Sequence, residues 1–414
     1  MGTFRKKVRG RRALAAHRAE VARARRRVAR AARRERERAA LAAKRPMVAR
    51  VATAGYATRS LLARLGDALV FAIGRLVLLL RVPLDVILQA IGELAVRTHG
   101  LVRRRRRPGD ARPAPGFLVV GHRGSPAKRV ENTLASFEEA LAEGANAIEM
   151  DLCLTKDGEV VLWHDEDPDA LVAILRQAGT EPEVRYRPVA PSAGSDFRRP
   201  VRDLTLAQLR AHYGYAGAEG GGRVAVTIPT IAEFAAWGAG REDLDLVFLD
   251  LKIPPARVDL VDAVVARVEA ALARHPSRYE IIYLTSSESV LRALPARGAT
   301  AGRSLDVVLP SGIVLFPSKI SAVRPAIEFG DPCASVGRPT YTISGSEVYR
   351  RVVEADLDLL RRHNAAHPDR RVDRLVAWTV NHPKELRTLV SLGVHAVLTD
   401  HPARLRAIAA LVRP

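Results

Sequence analysis

Residues 121–165 read GHRGSPAKRVENTLASFEEALAEGANAIEMDLCLTKDGEVVLWHD, and they are the most informative part of the chain. Two histidines in it come directly after short apolar runs. His122 follows residues 117–120, and His164 follows residues 160–163. Apolar runs of this length, bounded by turn residues, are typical of buried strands. The sequence therefore predicts two histidines at the C-terminal ends of strands.

A third apolar run, residues 147–152, carries two acids. Side chains alternate along a strand, so Glu149 and Asp151 point to one face and Met150 to the other. Two adjacent carboxylates repel each other unless a cation lies between them, which suggests a hard divalent metal. Histidines beside such a metal would supply a general acid and a general base near neutral pH. Each feature alone has an ordinary structural explanation, but their combination at strand ends favours a catalytic site.

Apolar strand-like runs alternate with helical segments from residue 117 onward. The predicted strands are 117–121, 147–152, 160–164, 246–251, 280–285, 305–309, 375–380 and 394–399. The predicted helices are 133–143, 204–212, 230–239, 257–274, 287–293, 347–363, 383–391 and 402–411. Eight strands with intervening helices predict a parallel (β/α)8 TIM barrel, whose active site lies at the C-terminal ends of the strands.

Two long irregular stretches interrupt this alternation. Residues 165–200 follow the third predicted strand, and their Pro, Gly and Arg content predicts a small capping insertion over the barrel mouth. Residues 310–346 form the second stretch, before the helix that leads into the seventh predicted strand.

The ordered motifs resemble the signature of the glycerophosphodiester phosphodiesterase family. They are HRG at 122–124, ENT at 131–133, ASF at 135–137, E-x-D at 149–151, TKDG at 155–158, HD at 164–165, DLT at 203–205, IPTIAEF at 228–234, LDLK at 249–252, AWTVN at 377–381 and TDHP at 399–402. The resemblance covers about residues 117–410 and implies the same barrel fold. It also implies metal-dependent hydrolysis of glycerophosphodiesters to sn-glycerol 3-phosphate and an alcohol.

The resemblance assigns roles to the metal and proton-transfer residues. Glu149 and Asp151 correspond to two ligands of a divalent metal, Mg²⁺ or Ca²⁺. The third ligand is expected at Asp250, on the fourth predicted strand, where the family usually has Glu two positions before a lysine. His122 and His164 correspond to the acid–base pair that activates water or the glycerol 2-hydroxyl and protonates the departing alkoxide.

The remaining candidates bind substrate or support the site. Arg123 is expected to bind the phosphate through its planar guanidinium. Lys252 is expected to pair with a phosphate oxygen or a metal-bound carboxylate. Glu131 would orient Arg123 or lie near the metal. Trp378 would stack on the glycerol or acyl-glycerol arm, with a plain core aromatic as the equal alternative. Asn132 and Thr133 are predicted to cap the first helix, and His395 stands where the family commonly has Asp.

The formal charge of +21 is concentrated in the N-terminal part of the chain. Residues 1–116 hold 30 Lys and Arg against seven acids, a charge of +23, whereas 117–414 hold 36 against 38, a charge of −2. The division predicts a basic helical or disordered leader over 1–60, an apolar amphipathic segment over 61–107, a linker over 108–116 and a catalytic domain over 117–414. A near-neutral barrel argues against a nucleic-acid function.

The apolar segment predicts where the protein acts. Charged residues interrupt its most apolar part, 61–96, so the charge-free stretches fall short of the ~18–20 residues that a clean membrane span needs. Amphipathic helices flanked by basic clusters favour attachment of residues 1–107 to an anionic membrane surface, peripheral or shallowly inserted on the cytoplasmic side. A nucleic-acid-binding tail and a solvated tail are the alternatives. The leader does not fit a secretory signal peptide, and two cysteines make no disulfide framework.

Two further activities fit the same sequence. A lysophospholipase D would act on membrane lysophospholipids, which the apolar segment would make accessible. A phosphoinositide-type lyase on the same fold would stop at a cyclic phosphate, but the acidic metal set favours hydrolysis. The head group and the oligomeric state stay open.

Overall fold

The computed structural model describes residues 114–294, 301–309, 320–338 and 346–412. The predicted leader and apolar segment, residues 1–107, lie outside the described residues, as does the linker up to residue 113.

Strands and helices alternate along most of this range. The strands are β1 Leu118–His122, β2 Ala147–Leu154, β3 Val160–Leu162, β4 Tyr186–Val189, β5 Gly214–Gly217, β6 Leu246–Leu251, β7 Glu280–Thr285, β8 Ala301–Val308, β9 Cys333–Gly337, β10 Arg374–Trp378 and β11 Ala396–Thr399. The α-helices are α1 Leu134–Ala142, α2 Leu171–Gln177, α3 Leu206–His212, α4 Ile231–Gly238, α5 Val261–Arg274, α6 Glu288–Ala293, α7 Val323–Phe329, α8 Ser346–Ala366, α9 Pro383–Leu392 and α10 Pro402–Leu411. Short 3₁₀ helices cover Val201–Asp203 and Val258–Leu260.

Eight parallel strands close into a barrel in the order β1, β2, β6, β7, β8, β9, β10, β11. The barrel closes because β1 pairs in parallel with both β2 and β11. Alternate side chains such as Val120, Phe248 and Leu284 fill the interior. The opposite faces of the strands pack on the helices in two larger apolar clusters. The predicted (β/α)8 barrel is confirmed.

The third predicted strand is not part of this barrel. β3 runs antiparallel to β2, with Leu152 opposite Leu162 and Leu154 opposite Val160. The five residues between β2 and β3 allow a hairpin, whereas a parallel crossover needs a dozen or more residues. The third barrel strand is therefore β6. The prediction that Asp250 and Lys252 belong to the fourth barrel strand was wrong, because they belong to the third.

The barrel still has eight strands because it includes β9, which was not predicted. β9 lies inside residues 310–346, a stretch that the sequence predicted to be irregular. Its residues, CASVG, include only one β-branched residue, so the run lacks the composition typical of a buried strand. It nevertheless pairs in parallel with both β8 and β10.

The capping insertion follows β3, as predicted, but it contains regular structure. It includes α2 and a small antiparallel sheet in which β4 pairs with β5. Trp163 anchors it, because its indole contacts the rings of Tyr213 and Tyr215 at centroid distances of 6.1 and 5.0 Å. Within the ranges described, no helix has both the length and the apolar character that a membrane crossing requires.

Candidate active site

A pocket lies at the C-terminal mouth of the barrel. Its lining includes eight of the nine predicted site residues, namely His122, Arg123, Glu149, Asp151, His164, Asp250, Lys252 and Trp378. The ninth, Glu131, is buried behind Arg123 with 3% of its surface exposed. The structure therefore brings together residues that are up to 256 positions apart in the sequence.

Three carboxylates meet on the inner faces of β2 and β6. One oxygen from each of Glu149, Asp151 and Asp250 lies within 4.8 Å of the others. The strand register explains this, because Asp151 pairs directly with Asp250 and Glu149 lies two residues earlier on the same face. All three donors are hard oxygens, the ligands that Mg²⁺ and Ca²⁺ prefer.

The electrostatics of this cluster indicate that positive charge is lacking. Burial, together with repulsion from Asp151 and Asp250, raises the pKa of Glu149 to about 8. Burial also raises the pKa of Asp250, with Asp151 adding to the shift although Lys252 opposes it. A divalent ion would remove both penalties, so the residues present fit a metal.

Lys252 is the cation already in the cluster. Its Nζ lies 2.6 Å from Asp250 Oδ2 and 2.9 Å from Asp151 Oδ1. Burial lowers the pKa of Lys252, but the two carboxylates outweigh burial and raise the pKa above its ordinary value. The same ammonium, with Arg123, holds the pKa of Asp151 well below its usual range despite burial.

Asn132 supports the cluster and does not cap the first helix. Its Nδ2 donates to Asp151 Oδ2 at 2.8 Å, and its Oδ1 accepts from the backbone N–H of Asp151 at 3.1 Å. Thr133 is the N-cap, and its side chain accepts the N–H of Ser136. The prediction was thus right for Thr133 and wrong for Asn132, whose backbone lies in the left-handed region with φ +53°.

Arg123 also has a left-handed backbone, with φ +52°, which directs its N–H to Glu149 Oε2 at 2.9 Å. Its guanidinium is held by three carboxylates. Nε lies 3.0 Å from Asp151, while Nη1 donates to Glu131 at 2.9 Å and to Glu181 at 3.3 Å. Glu131 therefore contacts Arg123, and it is not among the three carboxylates of the possible metal site.

The two histidines are oriented in the same way. His122 Nδ1 lies 2.7 Å from Asp400 Oδ1, and His164 Nδ1 lies 2.6 Å from Asp165 Oδ1. Because each carboxylate accepts at Nδ1, Nε2 remains as the nitrogen that can exchange a proton with substrate. Asn381 fixes Asp400 in turn, donating from Nδ2 to Oδ2 at 2.5 Å.

The surroundings shift the two imidazoles in opposite directions. Burial and Arg123 lower the pKa of His122, but Asp400 and Glu149 outweigh them and leave it raised. Burial, followed by Lys252, Arg176 and Arg123, lowers the pKa of His164 to about 3.

Trp378 lines the pocket, as do the apolar residues Leu284, Val308 and Leu398. A Cβ at position 337 on β9 would lie 2.3 Å from the indole, so only glycine at this position leaves room for the ring of Trp378.

His395 lies far from this site in the fold, at the other end of β11, where its Nδ1 accepts the N–H of Leu375 at 3.1 Å.

Several polar residues of the site were not predicted. Asp165 and Asp400 lie in the motifs HD and TDHP. They could have been found by asking which carboxylate orients each histidine. Asp306 on β8 lines the pocket, and burial, with repulsion from Asp250, raises its pKa to about 7. Arg176 and Glu181 belong to the insertion, where no motif or periodicity singles them out.

Comparison with known proteins agrees with this geometry. Residues 122–297 match the sequence profile of the "Glycerophosphoryl diester phosphodiesterase family". A "Probable glycerophosphodiester phosphodiesterase 1" from Mycobacterium tuberculosis is 27% identical over 308 residues, covering 70% of this chain and 91% of its own length. These matches support assignment of residues 122–297 to the glycerophosphoryl diester phosphodiesterase family.

Two further relatives add detail. A human lysophospholipase D is 24% identical over 333 residues, covering 77% of this chain and 93% of its own length. A crystal structure from Silicibacter pomeroyi, of a protein given the same family description, superposes with a TM-score of 0.52 at 22% identity. It covers 72% of this chain and 95% of that one, and it supports the barrel fold. The family match and the named relatives support an enzyme of the phosphodiesterase class.

Proposed function

We propose that the chain hydrolyses glycerophosphodiesters to sn-glycerol 3-phosphate and an alcohol, using a divalent ion, Mg²⁺ or Ca²⁺. The observation that carries the proposal is the cluster of Glu149, Asp151 and Asp250, which lies in one pocket with two carboxylate-oriented histidines. Glu149, Asp151 and Asp250 would hold the ion. Bound there, it would neutralise the charge that builds on the non-bridging phosphate oxygens.

The histidines would transfer the protons. In the proposed reaction one imidazole Nε2 takes a proton from water or from the glycerol 2-hydroxyl as that oxygen attacks phosphorus. The other Nε2 gives a proton to the alkoxide that leaves. If the 2-hydroxyl is the attacking group, a cyclic phosphate forms first. Water must then attack phosphorus and open the ring, with the two imidazoles in exchanged roles, to give sn-glycerol 3-phosphate. Asp400 and Asp165 would keep each ring in the tautomer that leaves Nε2 free for substrate, because each carboxylate accepts a hydrogen bond from Nδ1–H.

The other predicted residues would position the substrate. Lys252 and Arg123 line the pocket as cations and would contact the phosphate oxygens. Both are already paired with carboxylates, which fixes their orientation before substrate arrives. Trp378 would pack against the glycerol arm. Glu131 would act indirectly, by holding Arg123.

A substrate panel tests the activity. Glycerophosphocholine, glycerophosphoethanolamine and glycerophosphoglycerol would be incubated with Mg²⁺ or Ca²⁺, and the phosphorus products identified by ³¹P NMR. The proposal predicts sn-glycerol 3-phosphate from each reactive substrate. A cyclic glycerophosphate as the end product would favour the lyase alternative, and absence of turnover on the whole panel would reject the function.

Lysophospholipase D activity is the second candidate. The similarity to the human lysophospholipase D supports it, as do the apolar residues of the pocket, of which Val308 is 44% exposed and could contact an acyl chain. Lysophosphatidyl substrates added to the panel decide between the two. Release of lysophosphatidic acid at a higher kcat/KM than sn-glycerol 3-phosphate would make this the principal activity.

We also propose that residues 1–107 attach the enzyme to an anionic membrane surface on the cytoplasmic side. The charge of +23 over residues 1–116 and the amphipathic pattern of 61–96 support this. The full chain should sediment with anionic vesicles and be released only partly by high salt, whereas a chain that starts near residue 113 should not bind. Binding to DNA but not to vesicles would contradict the proposal.

A further inference from the structure

Arg176 is the most enclosed charged side chain of the capping insertion. It lies on α2, and only 1% of its surface is exposed. Its Nη1 donates to Asp165 Oδ1 at 2.6 Å, its Nε donates to Glu181 Oε2 at 2.9 Å, and its Nη2 donates to Glu131. Arginine side chains ordinarily face solvent and are rarely buried unless they are paired. A buried guanidinium in which each nitrogen bonds a different buried carboxylate therefore needs an explanation.

Each of these three carboxylates also contacts a residue of the active site. Glu131 Oε2 and Glu181 Oε1 accept from Arg123 Nη1 at 2.9 and 3.3 Å. Asp165 Oδ1, which accepts from Arg176, lies 2.6 Å from His164 Nδ1. Arg176 is therefore one contact away from the proposed phosphate-binding arginine and from one of the two proposed catalytic histidines.

The charges explain why the arrangement needs an arginine. Glu131, Asp165 and Glu181 have side chains no more than 8% exposed, and without Arg176 they would repel one another. Burial raises the pKa of Glu131 and of Asp165. Arg176 makes the largest opposing contribution to each, and together with Arg123 at Glu131 and His164 at both it leaves the two pKa values lowered. A planar guanidinium can reach three carboxylates at once, whereas a lysine ammonium is a point charge on a single stem.

We infer that Arg176 is a positioning residue, through which the capping insertion completes the active site as well as covering it. It holds Asp165 so that His164 keeps Nε2 for the substrate, and it holds Glu131 and Glu181 so that Arg123 keeps its orientation. This inference rests on the proposed function, because it assigns His164 and Arg123 their parts in that reaction.

The test compares two conservative variants of the same insertion. Arg176→Lys keeps the charge but loses the three-way contact. Arg198→Lys is the matched control, because Arg198 also bonds several groups of the insertion, and these lie outside the proposed site: Asp169, Gln177 and the carbonyls of Pro168 and Pro191. Arg176→Lys should lower kcat about 10²-fold with a much smaller change in KM, since small displacements of catalytic groups have effects of this size. Arg198→Lys should leave kcat unchanged, and equal kcat values for the two variants would overturn the inference.

A second variant covers the case in which Arg176→Lys does not fold. Arg176→Gln combined with Glu181→Gln removes one charge of each sign and so leaves the net charge of the buried network unchanged. Circular dichroism would verify the fold. A low kcat is expected again, and a wild-type kcat would overturn the inference.

Proton NMR gives a readout that does not depend on turnover. The short contact between His164 Nδ1 and Asp165 should place this N–H far downfield, and the signal would be assigned by its absence in His164→Asn. Arg176→Lys should shift or lose the signal, and Arg198→Lys should keep it. If Arg176→Lys loses the signal but the wild type cleaves no glycerophosphodiester, the proposed function alone is refuted. If Arg176→Lys keeps both the signal and the wild-type kcat, the positioning role is refuted.

Discussion

Two buried groups of charges lie side by side at the barrel mouth, and they differ in balance. The acidic cluster consists of Glu149, Asp151, Asp250 and Lys252, three carboxyl groups against one ammonium. The insertion network consists of Glu131, Asp165, Glu181, Arg123 and Arg176, three negative charges against two positive. In the first, the pKa values of Glu149 and Asp250 are raised by burial and mutual repulsion. In the second, burial is outweighed by nearby cations and hydrogen bonds, with Arg176 the largest contributor, and the pKa values of Glu131 and Asp165 are lowered.

This difference is the one expected if the first group receives a cation and the second is complete without one. Buried carboxylates with raised pKa values are costly until a positive charge arrives, which is the condition expected of a metal site. Buried carboxylates that are already paired hold neighbouring residues in place.

Removal of a metal ligand should have the largest effect. Glu149→Gln keeps the size of the side chain but removes the charge, and it should lower kcat/KM by at least about 10³-fold, since metal stabilisation of the transition state amounts to several kcal/mol. Steady-state kinetics on glycerophosphocholine would measure this. Glu138→Gln, at an exposed ion pair with Arg241 on the outside of the barrel, is the matched control and should have wild-type activity. Near-normal turnover of Glu149→Gln would remove this residue from the metal site.

The histidines should come next. His122→Ala and His164→Ala should each lower kcat by about 10²-fold or more, the usual contribution of a positioned acid or base. The double variant should be little worse than either single variant, because groups that act as a unit are not additive. A single variant that keeps near-normal kcat would show that its histidine is structural.

The two groups of charges should respond in opposite directions when one glutamate is made neutral. In chelator at pH 7, Glu131→Gln should lower the free energy of unfolding by about 3 kcal/mol, because it leaves arginine charge buried without its partner. Glu149→Gln should leave the free energy of unfolding unchanged or raise it, because it removes a carboxyl that repels its neighbours. Urea denaturation measures both, and equal losses for the two variants would contradict the division.

The pH dependence of stability follows from the same shifts. The pKa of Glu149 is raised from 4.5 to about 8 on folding, so its contribution to stability is complete below pH 4.5 and is lost as the pH rises through 8. The pKa of Glu131 is lowered, so its contribution is present above its unfolded pKa and is lost as the pH falls. Between pH 5.5 and 8.5 the metal-free wild type should therefore lose stability relative to Glu149→Gln. Parallel stability curves for the two proteins over this range would show that Glu149 does not titrate there.

How far the sequence predicted these two groups depends on where their residues lie. Glu149, Asp151, Asp250 and Lys252 are on barrel strands, where alternation and order along the chain give their common face. Arg176 and Glu181 are in the insertion, whose contacts arise only when it folds back onto the barrel. β3 was misassigned because apolar content gives no strand direction, and β9 was missed because its small residues give almost no strand signal.

Calorimetric titration of the chelator-treated full chain with Mg²⁺ or Ca²⁺, with turnover assayed in the same samples, tests whether the acidic cluster binds the ion that the reaction needs. We predict one ion bound per chain, with activity that returns in proportion to the bound ion. Because the pKa of Glu149 is about 8 without metal, binding at pH 7 should release close to one proton, seen as a dependence of the heat on the buffer. Glu149→Gln should neither bind with this stoichiometry nor regain activity. Full activity of the wild type in excess chelator would contradict the account.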